Sequence, residues 1–223
     1  MRYGYLVLSF GLLAAPAGAA MLDASDYDAA RFLPPPPAQD SVRTQEELEE
    51  LRHLAAVTSA ERKAAATRDS QDETPDIFNS VIGFDIATRP QTKKLLQIVV
   101  DEEEPDTKAA KAFFHRLRPY AADTSLSTCE TKRPGKPANS YPSGHSTLGF
   151  AMGVVLAQVM PDKAQDILAR SKEYAENRLI CGVHYRSDIT AGQQFGTVLA
   201  LRLMEKPAFQ QQIAAAQAEL KGH

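Results

Sequence analysis

The chain has 223 residues and a mass of 24.3 kDa, with 43% hydrophobic and 24% charged residues and a formal net charge of −3. That length fits one domain with its own core, and the composition excludes a wholly disordered chain, a collagen-like repeat and a multi-span membrane protein. The slight acid surplus argues against duplex nucleic acid as the main ligand, and two cysteines, Cys129 and Cys181, are too few for a thiolate zinc cage or a dense disulfide scaffold.

Residues 1–20 read MRYGYLVLSFGLLAAPAGAA: one basic residue, Arg2, then the apolar run Leu6 to Ala15, then Pro16 and the small residues Ala17, Gly18 and Ala19. This is the layout of a secretory signal peptide, and the run is well short of the about 20 apolar residues needed to span a bilayer. The expected mature chain, 21–223, is therefore periplasmic and mildly acidic. In an oxidising compartment Cys129 and Cys181 can pair, with two partly buried free thiols as the alternative.

Residues 21–40 form a proline-rich N-terminal arm, since the four prolines Pro34 to Pro37 fit neither a helix nor a central strand. Thr44 to Glu47 fits a capping box, followed by Leu48, Leu51, Leu54, Ala55 and Val57 at helical spacing. Thr58 to Glu61 is a second capping box, opening a helix that ends near Asp69. Pro75, Pro90 and Pro105 sit where helices can start. The run from Gly149 to Met160 is almost wholly apolar, as in a buried central helix, and amphipathic or apolar-rich helices follow over 162–179, 188–204 and 207–220. With no sustained period-two pattern, heptad array or repeat, the fold class is all-α, a single helical-bundle domain.

Three segments place unusual polar residues in this helical background. In Lys111-Ala-Phe-Phe-His-Arg-Leu-Arg118-Pro119 the two cations are seven residues apart, on one face if the helix continues, with Phe113 and Phe114 packing and Pro119 as the stop. A solvated basic face is the ordinary reading of such a pattern. In Asn139-Ser-Tyr-Pro-Ser-Gly-His-Ser146 a turn leads into the apolar helix. Ser143 is thus a candidate cap, Gly144 permits close backbone approach, and His145 is a titratable group at a helix N-terminus, where anions are favoured. In Asn177-Arg178-Leu-Ile-Cys-Gly-Val-His184-Tyr-Arg-Ser187-Asp188 the histidine and aspartate are four apart, close enough for the carboxylate to fix the imidazole tautomer. Arg178 offers a planar fork for phosphate, and Ser187 a cap for the next helix. His53 and His115 read as ordinary helix residues.

Together the segments resemble the signature Lys-x6-Arg-Pro, Pro-Ser-Gly-His, Ser-Arg-x5-His-x3-Asp of the type 2 phosphatidic-acid phosphatase superfamily, which includes the vanadium haloperoxidases. The Tyr-Pro-Ser-Gly-His core, the proline arm and the signal peptide most resemble the bacterial class A non-specific acid phosphatases. Asn177 stands where the family has serine, and Asn139 and Ser146 replace the outer glycine and threonine. The resemblance implies the family's all-α fold and a metal- and cofactor-independent, vanadate-sensitive acid phosphatase acting on small phosphate monoesters. It further implies His184 as the nucleophile that becomes phosphohistidine, Asp188 as its orienting carboxylate and His145 as general acid and base. Lys111, Arg118, Ser143, Gly144 and Arg178 would hold the phosphoryl oxygens. A soluble lipid phosphatase or phosphotransferase of the same fold, a metallohydrolase with His145, His184 and Asp188 as ligands, and a non-enzymatic phosphate binder are the alternatives. No stable membrane insertion is expected, and a homo-oligomer is left open.

Overall fold

The computed structural model describes residues 20–23, 27–129 and 138–221, so the expected signal segment lies outside the described residues except for Ala20. Among these residues the regular structure is entirely helical. The α-helices in chain order are α1 (Ala29–Phe32), α2 (Val42–Val57), α3 (Ala60–Asp69), α4 (Asn79–Ile82), α5 (Pro90–Phe114), α6 (Pro119–Ala122), α7 (Gly144–Val159), α8 (Ala164–Ile180), α9 (Arg186–Met204) and α10 (Pro207–Lys221). None is long and apolar enough to cross a membrane.

α7 is the axis of the domain. It is apolar on nearly every side, and it buries Leu148, Ala151, Met152, Val155 and Leu156 against α5, α8 and α9. Two glycines let α9 approach very closely. A Cβ on Gly192 would lie 2.6 Å from the carbonyl oxygen of Ser143, and one on Gly196 would collide with the carbonyl of Thr147. These contacts are backbone on backbone, so no side chain can rotate away, and they hold the N-terminal turn of α7 against the middle of α9.

The proline run is laid onto the domain. Leu33 is buried, and the Pro34 carbonyl accepts a hydrogen bond from the Tyr141 hydroxyl at 2.7 Å. Before it, Tyr27 stacks on Phe195 with centroids 3.9 Å apart. Met21 and Leu22 donate their backbone N–H groups to the carboxylate of Glu102.

Several local expectations change. α2 begins at Val42 with Ser41 as its cap, and Thr44 is a buried residue whose hydroxyl donates to the Ala38 carbonyl. α3 is likewise capped one residue later than expected, by Ser59, and does end at Asp69. Pro105 does not start a helix but lies inside α5. The roughly 3 kcal/mol cost of an interior proline is outweighed by burial on both sides of it, by Leu95, Leu96 and Val99 before and Thr107 and Ala110 after. α5 stops at Phe114 because His115 turns left-handed, with φ 50°, so Pro119 opens α6 instead of ending a helix. Phe114 packs edge-on against Tyr141, whereas Phe113 is exposed. Ser187 is not the cap of α9; Tyr185 holds that position.

Cys129 and Cys181 form a disulfide. It closes a loop with a sequence separation of 52, a constraint on the unfolded chain worth about 4 kcal/mol in the loop-entropy picture. It also fastens the turn that carries His184 to the segment after α6, where the Cys129 N–H donates to the Cys181 carbonyl.

The α7–α9 crossing gives a direct test. Alanine normally gains about 1 kcal/mol over glycine inside a helix. Gly196→Ala is nevertheless expected to destabilise the protein by about 1–3 kcal/mol through overpacking, read as a lower midpoint of urea unfolding.

Candidate active site

The candidate residues come from four places. Lys111 is on the last turns of α5, and Arg118 follows in extended backbone after the left-handed His115. The two therefore meet through a chain reversal and not along one helical face. Ser143 caps α7, its Oγ accepting from the Ser146 N–H, and Gly144 and His145 form the first turn. The Tyr141–Pro142 peptide before them is cis. Arg178 is buried on α8, and His184 and Asp188 flank the start of α9. Lys111, Arg118, Arg178 and His145 all act electrostatically on His184, so the three sequence segments converge on one imidazole.

His184 is 1% exposed, with Nδ1 3.3 Å from Asp188 Oδ2 and Nε2 2.8 Å from Arg118 Nη1. A guanidinium only donates, so Nε2 is the acceptor and the proton sits on Nδ1, facing the carboxylate. Burial, then the charges of Arg118, Lys111 and Arg178, push this imidazole well below its ordinary value. The result is a neutral ring whose Nε2 lone pair points toward the cations.

Asp188 is fully buried. Besides His184 it accepts from Arg116 Nη1 at 2.7 Å, Ser140 Oγ at 2.5 Å and the Tyr185 N–H at 2.9 Å. Burial raises its carboxyl, and Arg116 and these hydrogen bonds pull it back. Its backbone carbonyl accepts from the Ser143 N–H at 3.0 Å, which ties α9 to the turn before α7.

His145 is 9% exposed and stacks on Tyr174. Nδ1 lies 3.0 Å from Glu73 Oε1 and Nε2 3.3 Å from the Ser70 carbonyl. Lys111 is pushed down to about 7, by burial first and then by repulsion from Arg118. Neighbouring Glu103, bonded to Thr107, is raised to about 7 by burial. Lys111 and Gly144 also line a cavity of about 300 Å³ together with Glu73, Thr107 and Leu148, large enough for the organic part of a small ester.

Several residues outside the motifs prove to be part of the site's support. Arg116 is 4% exposed and bridges Asp188, Ser187 and Glu47 while its guanidinium lies 4.0 Å over the Tyr185 ring. Glu47, from α2, also accepts the N–H and hydroxyl of Ser187, and so caps α9 from another helix. Its sequence context reads as a local capping box, which hides this role. Arg118 is steered by Asn139 Oδ1 and the Val183 carbonyl. Asn177 donates to Asp69, which also holds Arg170 in a two-pronged pair. Asn177 thus braces α8 against the end of α3, the element that presents the Ser70 carbonyl. Among the described residues no group of three His, Cys, Asp or Glu side chains is arranged to hold a metal ion.

Residues 95–211 match the family model described as the PAP2 superfamily. The non-specific acid phosphatase of Salmonella typhimurium is 32% identical over 197 residues, covering 85% of this chain and 78% of that protein. The non-specific acid phosphatase of Providencia stuartii is 30% identical over 200 residues, covering 86% and 80%. Among solved structures, a bacterial vanadium-dependent iodoperoxidase superposes with a TM-score of 0.61 at 21% identity, over 80% of this chain and 53% of that one, a likeness of fold.

Removing Arg116 leaves two buried carboxylates, Asp188 and Glu47, without their shared cation. Arg116→Ala is expected to cost about 3–5 kcal/mol of stability, measured by denaturant unfolding. Arg116→Lys should fail to restore it, because an ammonium lacks the planar fork that reaches both carboxylates.

Proposed function

The chain belongs to the PAP2 superfamily, and from that membership we propose that it is an acid phosphatase that hydrolyses phosphate monoesters, without a metal, through a phosphohistidine at His184. The observation that carries this reading is the state of His184: a neutral ring, its Nδ1–H on Asp188, its Nε2 lone pair among Lys111, Arg118 and Arg178.

In the first step Nε2 of His184 attacks phosphorus in line. The N–P bond forms as the P–O bond to the alcohol breaks, and His145 gives its proton to the departing oxygen. In the second step water attacks the phosphohistidine, His145 takes the proton, and the N–P bond breaks to release inorganic phosphate and restore neutral His184. Asp188 keeps the Nδ1 proton in place and offsets the charge that develops on the ring. Lys111, Arg118 and Arg178 stabilise charge on the phosphoryl oxygens, with the Ser143 hydroxyl and the Gly144 N–H at the positive end of α7. Such positioning and charge stabilisation are the main demands of phosphoryl transfer. The reading also includes removal of residues 1–20 on export to the periplasm, an oxidising compartment suited to the Cys129–Cys181 disulfide.

The pH dependence follows from the two shifted groups. His184, depressed by burial, loses its attacking lone pair only well below its ordinary value, so the acid limb lies low. Lys111 gives up its proton near 7, so the free enzyme loses a phosphate-binding charge as pH rises through that value. The kcat/KM for an aryl phosphate should peak in the acid range and fall above about pH 7, be unaffected by EDTA and be inhibited by vanadate. His184→Ala should abolish turnover. A rate that keeps rising into alkaline pH, or an active His184→Ala enzyme, contradicts the mechanism.

A further inference from the structure

Glu73 belongs to none of the motif segments. It sits in the turn between α3 and the short 3-10 helix Pro75–Phe78, its side chain 64% exposed at the mouth of the site. The turn around it is well fixed. The Asp72 carboxylate accepts from both the N–H and the hydroxyl of Thr74, and the Asp72 carbonyl accepts from the Tyr174 hydroxyl at 2.5 Å. The Tyr174 ring is the one stacked on His145. One aromatic side chain thus holds both the acid–base histidine and the turn that brings a carboxylate to it.

We propose that Glu73 is a positioning residue for His145, forming a second carboxylate–imidazole pair that keeps the ring oriented and protonated for leaving-group departure. Both ring nitrogens face oxygens, Glu73 Oε1 at Nδ1 and the Ser70 carbonyl at Nε2, the arrangement suited to an imidazolium, which donates from both. The longer, weaker bond is the one to Ser70, so Nε2–H is the proton given to the departing alkoxide oxygen. Glu73 stays ionised while His145 becomes a neutral ring protonated on Nδ1. Nε2 then accepts the proton of the attacking water, and the pair returns to its starting state.

The two pairs differ in their surroundings, and this suits them to opposite tasks. Asp188–His184 is fully enclosed, and burial with Arg118, Lys111 and Arg178 around it keeps that histidine neutral. Glu73 is open to solvent on one side. The hydrogen bond to His145, then the His145, Arg178 and Lys111 charges, hold its carboxyl down to about 2, so it remains a carboxylate throughout the acid range. The charged and titratable groups facing the pair are Lys111 and Glu103 from α5, Arg178 and Tyr174 from α8, and His184 before α9.

This inference rests on the phosphatase reading above, and leaving-group dependence separates the two. At pH 7, Glu73→Gln is expected to lower kcat/KM for an alkyl phosphate such as glycerol phosphate by about 10-fold, a fraction of the 10²–10⁴ a general acid supplies. For 2,4-dinitrophenyl phosphate, whose leaving group departs without a proton, the loss should be less than about 2-fold by the same reasoning. Equal losses on both substrates, or none on either, with the variant folded by circular dichroism, overturn the role of Glu73 while leaving the phosphatase reading intact. A wild-type protein inert on both substrates overturns both.

Discussion

The guanidinium of Arg116 is the contact on which the rest of the site depends. It is nearly inaccessible, yet it makes hydrogen bonds to Asp188, Ser187 and Glu47. Each charge alone would be costly in the interior; together, with the Ser140 and Ser187 hydroxyls and the Tyr185 and Ser187 N–H groups bonded to the two carboxylates, the cluster is tolerated. Its consequence is geometric. One planar fork joins α2, the segment after α5 and the first turn of α9, so the carboxylate beside His184 has a fixed position. The backbone contact of α7 on Gly192 and Gly196 then brings the Ser143–His145 turn to the same place.

Helix N-termini are used in two ways. α5 is capped from α10 by Glu219, which accepts the N–H groups of Gln91 and Thr92, and α9 is capped from α2 by Glu47. In both, a carboxylate from a distant helix meets the positive end of the dipole and ties two elements together. α7 is capped by a neutral residue of its own turn, Ser143, and its first residue, Gly144, lies beside Lys111, with the Glu103 carboxyl, raised to about 7 by burial, next to it. That end is the one suited to an external anion.

The same pairing of imidazole with carboxylate occurs at His184 and at His145, and the difference between them is solvent. Enclosure and three nearby cations favour a neutral ring at His184; the exposed Glu73 gives His145 a second acceptor at the mouth of the site. A mildly acidic protein thus concentrates its positive charge where the chain reversals after α5 and before α9 meet.

The candidate residues and their order were legible in the sequence. Lys111, Arg118, Ser143, Gly144, His145, Arg178, His184 and Asp188 stand in three ordered blocks, and the apolar run that became α7 identified the central helix. Such signals are local: caps, periodicity and short spacings are set by residues a few positions apart. The route by which Lys111 and Arg118 meet was not legible, because a left-handed His115 and a proline carried within α5 are decided by packing around them. Nor were the partners Arg116, Glu47 and Glu73. Glu47 has the sequence context of a surface helix cap and Glu73 that of a polar loop, and their roles arise from contact with residues 140 and 72 positions away. The sequence by itself therefore determined which chemical groups the protein possesses and most of the helices that carry them. The tertiary structure alone decided their ionisation and orientation, because these depend on burial and on charges that only folding brings near.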